Sequence, residues 1–147
     1  MFSRKPREPA RVRPSLELLQ NILRELDIRS FVDDEGDLGC IWEGCRIYFF
    51  FAGPDQEILR VQAILDRRFD IDQKPWLLDV ADDWNRTRMF GKAYTSVGDD
   101  GRVGLCAEHV FDFAVPVERS VLVYMVRWWI SSLLKFSSWA GGAGVTS

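Results

Sequence analysis

The sequence predicts an α+β fold in which helices pack on one antiparallel sheet. Three observations point there. Apolar residues recur at helical spacing in three separated stretches, near the start, in the middle and near the end. Between them lie short strand-like runs joined by close, glycine-bearing turns, which connect antiparallel neighbours. The 147 residues are 47% hydrophobic and 13% aromatic, enough for a sizeable core in one domain and too apolar for a disordered chain.

The elements follow in order. Ser15 is placed to cap a helix running to about Asp27, with Leu16, Leu19, Ile22, Leu23 and Leu26 on one face. Residues 28–32 read as a strand, Asp34-Glu35-Gly36-Asp37 as a turn, and Leu38–Trp42 as a second strand. Glu43-Gly44 turns the chain into a third strand, Cys45–Ala52. Alternation places Ile47, Phe49 and Phe51 on one face of it, Tyr48 and Phe50 on the other. Both faces are apolar, so the second needs a cover, whether this chain, another subunit or a ligand. Residues 55–66 fit either a helix capped by Asp55 or an alternating strand. Pro75 suits the start of a helix over 77–88, with Leu77, Val80, Ala81, Trp84 and Trp76 inward and Asp79, Asp82 and Asp83 outward. Residues 91–97 and 102–110 form a hairpin about Asp99-Asp100-Gly101. Pro116 opens a last helix to about Trp139, whose polar strip is only Ser120, Arg127, Ser131 and Lys135. Residues 1–14 are expected as a flexible basic arm, 15–139 as the domain and 140–147 as a flexible glycine-rich tail.

The chemistry-bearing residues are few. The net charge of −3 disfavours a dedicated nucleic-acid binder. Arg4, Lys5, Arg7, Arg11 and Arg13 nevertheless face only one acid, Glu8, in the arm. An alternative function is therefore binding of nucleic acid or an anionic surface through that arm. Arg86, Arg88, Lys92 and Arg102 interleaved with Trp84, Phe90 and Tyr94 would suit such binding only if they shared an exposed platform. Cys40, Cys45 and Cys106 offer neither a disulfide framework nor a zinc spacing and read as buried free thiols. The lone His109 suits a structural place better than a catalytic one. Asp33, Asp34, Glu35 and Asp37 lack the spacing of a calcium loop. No nucleotide, hydrolase or metalloprotease motif is present. No enzyme activity, cofactor or metal is expected. The longest apolar-rich run, 121–134, is too short to span a membrane, so a cytoplasmic protein is expected.

The stretch Trp84-Asn85-Arg86-Thr87-Arg88-Met89-Phe90-Gly91-Lys92-Ala93-Tyr94 resembles the hallmark of YbjN-domain proteins, a helix ending in Trp-Asn, an arginine, then a Lys-Ala-Tyr-like strand. The matching positions are Trp84, Asn85, Arg88, Lys92, Ala93 and Tyr94, and the resemblance spans residues 15–138. It implies a fold similar to type III secretion chaperones, in the order α-β-β-β-(β)-α-β-β-α, with residues 57–66 as a strand. It also implies a small, homodimeric, non-enzymatic module that binds a protein or peptide in a chaperone-like or regulatory role. In the motif itself, Trp84 and Asn85 are expected to be structural, with Arg88 and Lys92 pairing to Asp82 or Asp83. The partner-binding candidates are Tyr48 and Phe50 on the strand and Tyr124 and Trp128 on the last helix.

Overall fold

The computed structural model describes residues 9–145. The elements are β1 (Arg11–Val12), α1 (Leu16–Glu25), β2 (Phe31–Val32), β3 (Leu38–Trp42), β4 (Cys45–Ala52) and β5 (Ile58–Leu65), then α2 (Lys74–Thr87), β6 (Lys92–Val97), β7 (Val103–Asp112), β8 (Val117–Glu118) and α3 (Arg119–Gly142). Six strands make an antiparallel sheet in the order β2-β3-β4-β5-β7-β6, and β1 pairs with β8 apart from it. The ambiguous segment is thus a central strand, paired through Val61 to Phe49 of β4 and to His109 of β7. Its burial alternates without a break: Leu59, Val61, Ala63 and Leu65 are enclosed, while Ile58, Arg60, Gln62 and Ile64 are half-buried. A helix would have scattered those apolar residues around its circumference.

The enclosed face of the sheet and the inner faces of all three helices form one core. Leu19, Ile22 and Leu23 come from α1, Leu77, Val80, Ala81 and Trp84 from α2, and Leu122, Val126, Trp129, Ile130, Leu133 and Phe136 from α3. Phe49, Phe113 and Phe136 are the largest side chains wholly removed from water. Each such ring contributes roughly 1.5–3 kcal/mol of burial energy.

Four boundaries differ from the sequence reading, each for a local reason. The first strand shrinks to two residues because α1 ends in a left-handed Asp27 (φ 59°), and the Ile28 N–H returns to the Leu23 carbonyl at 2.8 Å. That geometry closes the helix end and holds Ile28 out of the sheet. Helix α2 starts earlier, at Lys74, and Trp76 sits at the rim, 36% exposed and edge-on to Phe69, rather than inside. Helix α3 starts three residues after Pro116, because Val117 and Glu118 first pair with Val12 and Arg11. The described end of the basic arm is therefore anchored. Arg13 adds a clamp, its guanidinium donating to the carbonyls of Phe113 (3.1 Å) and Ala114 (2.7 Å). Finally, the glycine-rich end is a helix terminus rather than a loose tail. Gly144 is left-handed (φ 86°), the Val145 N–H reaches the Ala140 carbonyl at 2.9 Å, and Val145 is fully buried.

Candidate functional site

The Trp84–Tyr94 stretch is a latch between α2 and the edge strand β6. The Trp84 indole packs edge-on against Phe136 (5.1 Å) and beside Trp139 (5.2 Å), and its Nε1–H donates to the Gly91 carbonyl at 2.9 Å. Asn85 uses both ends of its amide on one residue: Nδ2 donates to the Ala93 carbonyl (3.0 Å), and Oδ1 accepts from the Ala93 N–H (2.8 Å). The side chain thus stands where a neighbouring strand would pair. Gly91 is left-handed (φ 80°), which lets the chain turn from helix into strand. The expected pairing with the α2 acids is corrected. Arg86, three residues on along the helix, pairs with Asp83. Arg88 has left the helix (φ −122°, ψ 142°), and its guanidinium lies 5.4 Å from the Trp84 ring centre. Lys92 is exposed, opposite Glu108 of β7.

Beside the latch lies a cleft of about 340 Å³ between the α2–β6 loop and α3. Its walls are Trp84, Trp128, Trp139 and Phe90. Phe90 meets Trp128 edge-on at 4.6 Å although 53% exposed, and Met89 beside it is 88% exposed. Arg88, Lys135 and Ser132 supply the polar lining. No carboxylate lines the cleft, and neither cation forms an ion pair among the described residues. His109 supports the wall from behind, 5.1 Å from Trp128 between ring centres and with Nε2 2.7 Å from Ser132 Oγ. The Ser132 hydroxyl donates to the Trp129 carbonyl (2.9 Å), so Nε2 carries the proton of that contact. Burial pulls the His109 pKa down to about 4, which keeps the ring neutral near pH 7.

The sheet face away from the helices is open: no element among the described residues packs over it. Tyr48 stacks on Phe50 at 5.7 Å and receives Phe31 edge-on at 5.8 Å. Arg60 lies 4.8 Å above the Phe50 ring and 3.7 Å from Glu108. Tyr94, half-buried, donates to Glu108 at 3.3 Å and accepts from Gln62; burial raises its pKa to about 12. Ile41 and Val110 on the same face are 64% and 57% exposed. The polar ladder in the middle is thus flanked by apolar residues still half in water.

The four partner-binding candidates fall into two places. Tyr48 and Phe50 lie on this open face, whereas Tyr124 (67% exposed) and Trp128 lie on α3, on the helix side. Trp128 belongs to the cleft; Tyr124 stands out in solvent. The sequence reading missed Met89, Trp139, Lys135 and Ser132 as lining. Its one available signal was Met89-Phe90, two large apolar residues in a helix-to-strand loop flanked by Arg88 and Lys92.

The remaining candidates have structural places. Arg4, Lys5 and Arg7 of the arm lie outside the described residues. The acids of the 33–37 turn serve the hairpin: Asp33 Oδ1 accepts from the N–H groups of Glu35 (3.0 Å) and Asp37 (2.9 Å). Asp79, Asp82 and Asp83 form no metal-holding cluster among the described residues. Cys40, Cys45 and Cys106 are buried free thiols, and burial raises the pKa of Cys40 and of Cys106 to about 11. No described helix is long and apolar enough to cross a membrane.

A family model for YbjN, described as a "putative bacterial sensory transduction regulator", matches residues 15–141. Among solved structures, the crystal structure of YbjN from E. coli, described as "a putative transcription regulator", superposes with a TM-score of 0.78 at 14% identity. The match covers 94% of this chain and 99% of that one. No curated protein matches the sequence.

Proposed function

The chain belongs to the YbjN family, and from that premise we propose that it is a non-enzymatic regulatory module that holds a protein or peptide partner against the open face of its sheet. The observation that carries this reading is the Phe31–Tyr48–Phe50 aromatic row with Ile41 and Val110 beside it, left half in water on a face that no described element covers. An antiparallel sheet facing solvent on one side alternates apolar with polar residues. Here the alternate positions of β4 carry aromatics instead, and aromatic anchors next to a satisfied polar group are the usual makings of an interface. The family description as a regulator, rather than an enzyme, agrees with such a role. A chaperone-like mode, a cytoplasmic location and self-association through the same face belong to this reading.

The test places a photo-activated cross-linking residue at Phe50 and, in a control chain, at Leu78 on the outer side of α2. Irradiation in the native cells is expected to give discrete protein adducts from position 50, a second copy of the chain included, and none from position 78. Tyr48→Arg in the same chain should remove them. The same background at both positions would end the reading.

A further inference from the structure

We propose that the tryptophan-lined cleft beside the α2–β6 latch is a binding site for a small planar aromatic carboxylate. The proposal concerns a different surface from the open sheet face and stands apart from the reading of that face.

Trp128, Trp139 and Phe90 present ring surface around about 340 Å³, room for a two-ring ligand and too little for a folded partner. Flat rings stack or meet edge-on with such walls. Charge then selects among flat ligands. Arg88 comes from the α2–β6 loop and Lys135 from α3, with no acid in the described lining to neutralise either. Lys has three donors and no acceptor, and Arg has a planar fork of donors, so together they ask for an oxyanion. Ser132 is committed as a donor to the Trp129 carbonyl and accepts from His109, which leaves the two cations as the anion's partners. The wall is also rigid where it must be. Trp84 is held by the Gly91 carbonyl and by Phe136, and Trp128 by His109 and Phe90. A site whose rings are already placed loses little entropy on binding. A broader groove of about 520 Å³ along α3, between Leu26 and Leu134, shares Lys135 with the cleft and adds Arg127, but it has no aromatic lining to hold a flat ring.

The probe is naphthalene-2-carboxylate, titrated calorimetrically into the full chain, with naphthalene-2-carboxamide as the uncharged arm. The carboxylate should bind about a hundredfold more tightly than the carboxamide, the scale of one charge-assisted hydrogen bond to each of the two cations. Arg88→Gln and Lys135→Gln should each weaken the carboxylate by about tenfold and leave the carboxamide unchanged. Both side chains are exposed, so circular dichroism should show the fold intact. Tyr48→Ala, on the open sheet face, should leave naphthalene-2-carboxylate binding as it was, so failure here and failure of the partner-binding reading are separate results. The proposal is overturned if neither probe binds, if the two bind equally, or if the cation variants change nothing. It is equally overturned if a peptide ending in a phenylalanine carboxylate binds at Arg88 and Lys135 while naphthalene-2-carboxylate does not.

Discussion

At the scale of single residues, Asn85 and His109 show how a side chain can be structural without being core. The Asn85 amide occupies both edge hydrogen-bonding groups of Ala93, and an open edge invites pairing with another chain. Asn85→Ala should cost about 1–2 kcal/mol, read from the urea midpoint at unchanged slope. His109 makes a prediction about pH. Its pKa falls from 6.5 to about 4 on burial, so the unfolded chain takes up a proton that the folded chain refuses. Stability is then full above pH 6.5 and lost as pH falls from 6.5 towards 4. Partial solvent exposure limits the loss to roughly 1–2 kcal/mol. Comparing denaturation of the native chain and His109→Gln across that window should show the native chain losing more. The motif around these residues was legible as a helix-to-strand junction. The ion pairs were not: Arg88 lies five and six residues beyond Asp83 and Asp82, outside the three- or four-residue helical spacing, and it is Arg86 that stands three residues on from Asp83.

At the scale of elements, turn chemistry carried most of the reading. Leu38–Trp42 and Cys45–Ala52 were readable to the residue because the Glu43-Gly44 turn separates them, with Gly44 at φ 82°. The 55–66 segment needed more, since its periodicity fitted two structures. The last helix shows the opposite lesson: its glycines look like a linker but terminate α3 around a buried Val145. Gly144→Ala should destabilise by about 1 kcal/mol, because the left-handed conformation resists a Cβ. Gly142→Ala should instead stabilise by roughly half a kcal/mol, since a Cβ there meets open space within the helix. Thermal melts of the two variants, shifting in opposite directions, check both statements.

At the scale of the whole molecule, the fold separates two surfaces. The open sheet face carries Tyr48 and Phe50, and the helix side carries the cleft with Trp128. Residues about forty positions apart in the chain, such as Phe90 and Trp128, meet only because α3 packs across the core side beside α2. Apolar periodicity, glycine turns and helix caps are local properties, and by themselves they determined the class of the fold, the order of its main elements and the two-sided apolar strand. Which face of that strand remains open, that β5 lies between β4 and β7, and that three tryptophans and two cations share one cleft were decided by the tertiary structure alone. A periodic pattern states which side of an element avoids water; only packing of the whole chain states what covers that side.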